Sequence, residues 1–170
     1  MNGITLNQIV TQPTTVRQTV IELDDPLVKL VIFELAGQWF ALHGHKVREI
    51  LARARVFFIP GCPPSLEGVV NVRGDMETVI RLHGLLQLPE QEPGQAAAIL
   101  LGQGAEIRSG IRVDRVLDVL DLPESAIQPL PTSLPAHWHT LALGVLRYRE
   151  VPVTLLDLDA ILTQYARGLG

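Results

Sequence analysis

The sequence predicts a mainly β protein, and three features predict it. Its apolar residues are aliphatic rather than aromatic: 47% of the chain is hydrophobic but only 5% is Phe, Trp or Tyr, and a Leu, Val and Ile mix suits strands packed face to face. Short apolar runs recur between Gly- and Pro-bearing breaks, at the spacing of hairpins. One of these hairpins, GVVNVRGDMETVIRL from Gly68 to Leu82, has an echo later in the chain.

Taken in order, residues 1–26 are rich in Thr, Gln and Asn and hold no sustained period. They read as a poorly ordered leader with one short strand around Thr15 to Leu23. Val28 to Leu35 and Gln38 to His43 flank Ala36-Gly37, a hairpin. His45 to Ala52 places Val47, Ile50 and Leu51 at i, i+3, i+4, which predicts one or two amphipathic helical turns. Arg55 to Ile59 is a short strand ended by Pro60-Gly61-Cys62-Pro63-Pro64, which no regular element crosses. Gly68 to Leu82 is two apolar runs joined through Arg73-Gly74-Asp75, and His83 to Leu88 is a helical turn. Residues 87–95 are a polar linker. Ala96 to Leu101 and Ala105 to Ile111 form a hairpin around Gly102-Gln103-Gly104, while Val113 to Leu120 reads as either helix or strand. Pro123 to His139 is an irregular connection carrying Pro123, Pro129, Pro131 and Pro135. Thr140 to Tyr148 and Val151 to Leu156 form the last hairpin. Asp157 opens a C-terminal helix to about Arg167, with Asp157 or Asp159 as its N-cap.

The echo lays Gly68–Leu86 on Gly144–Leu162 at one constant offset without a gap. Gly68, Val69, Arg73, Thr78, Leu82 and Leu86 then meet Gly144, Val145, Arg149, Thr154, Leu158 and Leu162. A weaker match sets Gly37-Gln38 and Gly44 to Leu51 beside Gly102-Gln103 and Gly110 to Leu117. Each half then carries about five strands, a natural number for a small closed barrel without exposed edges. Two unrelated hairpins with similar apolar patterns would give the same matches.

Formal net charge is -4, from 14 basic and 18 acidic residues spread evenly. Without a basic stripe, a nucleic-acid-binding barrel is disfavoured, as is electrostatic membrane association. Cys62 is the single cysteine, so no intrachain disulfide forms. No signal-peptide pattern and no apolar run of about 20 residues is present, which makes the cytoplasm the expected location.

Catalytic patterns are missing: no nucleophile elbow, phosphate loop, dinucleotide fingerprint or zinc-protease motif occurs, so no enzyme and no cofactor is expected. Gly102 and Gly104 are a hairpin turn. Two H-x-H pairs, His43/His45 and His137/His139, are the one metal candidate, and they define an alternative function as a metal- or small-ligand-binding β module. Against it, Gly44 splays the first pair and the second lies in a Pro-bordered loop. Cys62 has no partnering base and reads as a plain thiol. Trp39 and Phe40 read as core. Trp138 reads as packing over a barrel end or as an anchor for a partner.

The ordered series FELAGQWFAL (Phe33 to Leu42), KVREIL (Lys46 to Leu51), PGCPP (Pro60 to Pro64), GVVNVRG (Gly68 to Gly74), VIRL (Val79 to Leu82), GIRVDRV (Gly110 to Val116) and VTLLDLDAIL (Val153 to Leu162) resembles the CheW-like chemotaxis coupling proteins. The resemblance covers about Val28 to Leu162. It implies two five-stranded SH3-like β-barrels sharing an apolar core, with short helices including a C-terminal one, as a 27–170 domain of two pseudo-repeated subdomains. It implies a non-catalytic adaptor that couples the helical hairpin of a chemoreceptor to the regulatory domain of a histidine kinase, in chemotaxis or pilus-driven motility. By motif position, Val47, Glu49, Gly68, Asn71 and Arg73 fall where the family contacts the receptor or shapes the groove for it. Gly68 permits close backbone approach and Gly74 a positive φ. Arg73 is able to donate several hydrogen bonds to a docked helix, or with Asn71 to fix the turn by bonding loop backbone. Thr78 stands where the family usually has Pro, and Arg81 where it usually has Asp. Arg81 is expected to pair with Asp75 or Glu77, or to mark a divergent partner.

Overall fold

Strand pairing between distant segments dominates the computed structural model, which describes residues 25–168. The strand expected around Thr15 to Leu23 lies outside the described residues. The elements are β1 (Leu27–Leu35), β2 (Gln38–His43), β3 (Val47–Ala52), β4 (Val56–Phe57), β5 (Leu66–Val72), β6 (Asp75–Arg81), α1 (His83–Leu86), β7 (Ala98–Gln103), β8 (Arg108–Val113), β9 (Arg115–Pro123), β10 (Ala142–Tyr148), β11 (Val151–Leu156) and α2 (Leu158–Gly168). Short 3-10 turns occupy Gly44–Lys46, Glu124–Ala126 and Ala136–Thr140.

All four expected hairpins form. The β7–β8 turn sits later than the sequence suggests: Gly102 and Gln103 still pair within the ladder, and the Gly104 N–H closes the turn onto the Ile107 carbonyl at 2.8 Å. The helical turns expected over His45 to Ala52 are a strand instead. Val47 to Ala52 alternates half-buried and exposed and pairs antiparallel with β7, so a non-local ladder outweighs the weak 3.6-residue period of a short run. Val113 to Leu120 resolves as strand for the same reason, through β1.

The two sheets run β10-β11-β2-β1-β9 and β3-β7-β8-β6-β5-β4. Each takes strands from both halves of the chain, because β3 crosses to β7 and β9 crosses to β1. The half-chains therefore do not each close on themselves, as five consecutive strands per half would imply. Each half gives its first hairpin to one barrel and its later strands to the other: β1 and β2 join β9 to β11, and β7 and β8 join β3 to β6. Each sheet also curls toward closure. Phe57 of β4 pairs Val69, and at Val145, the repeat counterpart of Val69, a bridge to Gln128 joins the segment after β9 to β10. The result is two small SH3-like barrels, one with the expected five strands and the other with six, the two-residue β4 included.

The repeat holds at the level of register. The β5–β6 ladder slips between Leu66 and Gly68, and the β10–β11 ladder slips at the equivalent place, between Ala142 and Gly144. Both glycines face a carbonyl. A Cβ on Gly68 would meet the Phe57 carbonyl group, its carbon at 2.9 Å, and one on Gly144 would meet the Gln128 oxygen at 2.6 Å. Arg73 and Arg149 both adopt left-handed backbone, φ 51 and 50.

Burial follows this plan. Leu30, Ile32, Ala41, Leu146, Val153 and Leu155 fill one barrel. Val70, Val72, Val79, Ile99 and Leu101 fill the other. A third and larger cluster joins them, with Phe33, Phe40, Ile80, Leu100, Ile111 and Leu156 meeting Ile161 and Leu162 of α2. Trp138 belongs to this shared core: it is buried against Phe40 and donates its Nε1–H to the Leu86 carbonyl at 2.9 Å. It packs; it is not an exposed anchor. Asp157 is the N-cap of α2, accepting the Ala160 N–H at 3.2 Å. Asp159 instead binds Lys46 at 2.7 Å and the Ala105 N–H at 2.8 Å, tying the helix to the β2–β3 connection and to the β7–β8 turn. Among the described residues no helix is long and apolar enough to cross a membrane.

Candidate functional site

The rim of the second barrel is assembled from β3 and the β5–β6 hairpin. Along β3, Val47, Glu49 and Leu51 are half-buried, and a register slip against β7 between Val47 and Glu49 releases Arg48 from the simple alternation. Across from them the hairpin turns at Arg73-Gly74, where Asn71 Oδ1 accepts the Gly74 N–H at 2.8 Å. That bond holds Arg73 in its left-handed conformation, and the guanidinium reaches β3. Arg73 Nη1 and Nη2 donate to Glu49 Oε1 and Oε2 at 3.0 and 2.7 Å, a two-pronged pair. The Arg73 hydrogen bonds hold the Glu49 carboxyl below the usual carboxylate range, and Glu49 raises the guanidinium in return. Most of the Arg73 side chain remains in solvent, so the pair orients groups at a surface rather than anchoring the fold.

Of the five residues singled out in the sequence, Glu49, Asn71 and Arg73 therefore meet at one barrel end. Val47 stands two residues from Glu49, half-buried against the shared core. Gly68 lies three residues back from Asn71, roughly 10 Å by strand rise, and faces β4, so its local work is to let the barrel close. Asn71 fixes the turn, whereas Arg73 bonds Glu49 rather than loop backbone.

A second cross-link went unseen in the sequence. Arg48 Nη2 donates to Glu77 Oε1, and Arg108 Nη2 lies 3.6 Å from the same oxygen. Glu77 is buried, at a position of β6 that shares a face with Val79. A charge at an inward strand position demands a partner, and that was the available signal. Reading β3 as helix hid it.

The other barrel repeats the rim with different chemistry. Asp118 sits on β9 just past a register slip, as Glu49 does on β3. Its carboxylate accepts the Tyr148 hydroxyl at 2.6 Å and its neighbour's Val119 N–H at 2.8 Å. Those bonds, Tyr148 first, lower Asp118, and the bond to Asp118 raises the phenol. Arg149 lies over the Tyr148 ring at 5.0 Å, and Trp39 packs beside that ring at 5.9 Å.

Among the described residues no group of three or more His, Cys, Asp or Glu is placed to hold a metal ion. The His43 and His45 rings lie 5.2 Å apart, whereas His137 spends its Nε2 on the Leu86 carbonyl at 3.0 Å. Burial, then His45 and Lys46, pushes His43 below the usual imidazole range. Cys62 is a half-buried free thiol. Thr78 exchanges a 3.1 Å hydrogen bond with Ser109. Arg81 approaches Glu67 and Glu90 rather than Asp75 or Glu77, because its side chain leaves the strand beneath the Pro60–Pro64 loop, away from the hairpin.

Paired small barrels with exchanged strands, a common apolar core and ion-paired rims define a β module of the paired SH3-like class. The CheW-like domain family model matches residues 29–166, and the chain belongs to that family. It is 27% identical over 136 residues to the probable chemotaxis protein CheW of Rhizobium etli, covering 80% of this chain and 88% of that one. Over 145 residues it is 30% identical to chemotaxis protein CheW of Klebsiella aerogenes, covering 83% and 85%. Protein PilI of Pseudomonas aeruginosa is 26% identical over 120 residues, covering 71% and 67%. The crystal structure of the scaffolding protein TtCheW from Thermoanaerobacter tengcongensis superposes with a TM-score of 0.69 at 23% identity, over 78% of this chain and 90% of that one. That likeness supports the fold.

Proposed function

We propose that this protein is a non-catalytic cytoplasmic adaptor that couples chemoreceptors to a histidine kinase, in chemotaxis or in pilus-driven motility signalling. The observation that carries this reading is membership of the CheW-like family across both barrels. Relatives named as chemotaxis proteins support the first setting, and the similarity to PilI keeps the second open. The working unit is residues 27–170 as two pseudo-repeated barrel subdomains, with 87–95 linking the halves and 1–26 as a leader.

In this reading the receptor's helical hairpin docks at the rim bearing Val47, Glu49, Asn71 and Arg73, with Gly68 shaping the barrel wall below it. Arg73 has donors left beyond its bonds to Glu49, and its exposure leaves them available to a partner's carbonyls or carboxylates. The regulatory domain of the kinase binds elsewhere on the barrels.

The test is a titration of the purified protein against the receptor's cytoplasmic tip and against kinase regulatory fragments from the same cell. Binding is expected at Kd of about 1 μM to tens of μM. Arg73→Glu should weaken receptor binding about tenfold or more, a loss of roughly 1.4 kcal/mol of binding energy, and leave the unfolding midpoint in place. Failure to bind every kinase of that class removes the adaptor reading. Unfolding of the variant removes the docking role of Arg73.

A further inference from the structure

Arg81 and Arg112 are register partners on the neighbouring parallel strands β6 and β8. Their side chains therefore leave the same face of the sheet, side by side. Both are largely buried, at 22% and 12% exposure. One buried carboxylate faces them. Glu67 Oε1 lies 3.0 Å from Arg112 Nη2, while Oε2 is 3.8 Å from Arg81 Nε. Glu90, mostly exposed, is 3.9 Å from Arg81 Nη1. Neither Arg81 approach is short enough to be a hydrogen bond. Glu67 Oε2 and Arg112 Nε are buried without a hydrogen-bond partner.

Like charges paired across strands are destabilising, and buried polar atoms left unbonded cost more than the bond itself is worth. The other barrel shows a resolved version of the same place. There the repeat counterpart of Arg81 is an acid, Asp157, one residue beyond β11, the strand that pairs parallel with β2.

Arg81, Arg112 and Glu67 line a cleft of about 400 Å³ beneath the Pro60–Pro64 loop, whose other wall is Val56, Phe58 and Pro63. Phe58 is among the most exposed large apolar side chains, at 76%. We propose that this cleft is a binding site for a carboxylate attached to an apolar group, the carboxylate seated between Arg81 and Arg112. Two guanidinium groups face one buried carboxylate, and the second acid, Glu90, is mostly in solvent where its charge is screened, so a monoanion matches the charge of the buried groups. A dianion such as phosphate would place excess negative charge beside Glu67. Paired guanidinium groups supply the planar forks a carboxylate accepts, and the exposed Phe58 ring covers the attached apolar group.

The carboxylate has two sources, a free organic acid or an acidic side chain in a peptide. Amide chemical-shift titrations distinguish them, with phenylacetate as one probe and acetyl-Glu-Phe-amide as the other. Acetate and phosphate at matched ionic strength serve as references. Saturable shifts at Phe58, Arg81 and Arg112 are expected, with a Kd of about 1 mM or tighter, for at least one of the two probes. Both references should bind more weakly. Arg81→Asp, which restores the residue type of the other barrel, should weaken binding about tenfold or more, and Arg112→Gln likewise. Because the same spectra report folding, Arg81→Asp decides the matter if Arg112→Gln unfolds. Tighter binding of the dipeptide assigns a peptide source, and tighter binding of phenylacetate a free acid. No saturable shift with either probe, equal binding by Arg81→Asp, or preference for phosphate each overturns the proposal.

Discussion

Replacing Gly68 by alanine should be among the most damaging small substitutions in the chain. Gly68 holds φ +155, and an added Cβ would run into the Phe57 carbonyl group and lie 3.0 Å from Val56 Cγ1. The obstacle is backbone, and it belongs to β4, the short strand that closes the second barrel, so no side chain can swing aside. Two costs add: about 1–3 kcal/mol for backbone strain and about 1–3 kcal/mol for overpacking. A total of about 3 kcal/mol lowers the melting temperature by about 6–12 °C for a domain of this size. Two other glycines separate the causes. Gly144→Ala meets the Gln128 oxygen at 2.6 Å and Ile127 Cγ2 at 2.7 Å without a positive φ, so it should cost about 1–3 kcal/mol from packing alone. Gly74→Ala has φ +93 and open space around it, so only strain of about 1–2 kcal/mol applies. Urea unfolding monitored by circular dichroism gives all three values, with unchanged slopes marking intact two-state behaviour. A Gly68→Ala midpoint equal to wild type refutes the closure argument. A Gly74→Ala cost equal to that of Gly68→Ala shows that strain, not close approach, is what Gly68 avoids.

Asp157→Ala removes the N-cap of α2 and should cost about 0.5–2 kcal/mol, with hydrogen exchange rising first in the opening turn of that helix. Phe40→Ala empties the junction with Phe33 and Trp138 and should cost about 3–5 kcal/mol, read from the shift in urea midpoint. For Glu49, the folded carboxyl titrates below its unfolded value, so its contribution is present above the ordinary carboxylate range and is lost as pH falls through the lowered folded value. Arg73→Gln should move the Glu49 carboxyl resonance titration up toward the ordinary range and flatten that acid-side dependence. An unchanged titration would mean that the pair does not persist in solution.

Much of the fold was legible because its hairpins are closed by local chemistry. Ala36-Gly37 and Arg73-Gly74 turn where a positive φ is needed, and the apolar runs on either side have no choice but to pair. The repeat was legible for a similar reason: Gly68 and Gly144 are dictated by a close approach that occurs once in each barrel. Asp157 was readable as a cap from its place ahead of a helical run.

What the chain alone determined, then, is the set of hairpins, the duplication, and through the ordered motifs the CheW-like family. What tertiary structure decided is which segments far apart in sequence lie side by side. Val47, Ile50 and Leu51 satisfy a helical period over their short run, and only the ladder to β7, in the other half of the chain, makes them strand. That ladder, with the one between β9 and β1, is also what joins the first hairpin of each half to the later strands of the other. The rim follows from it, since Glu49 meets Arg73, and Arg48 meets Glu77, only when β3 lies across the hairpin. Arg81 beside Arg112 is likewise a product of parallel register between β6 and β8. Local sequence encodes turns and caps because their hydrogen bonds span a few residues. Ion pairs across exchanged strands depend on a pairing partner that no local pattern names.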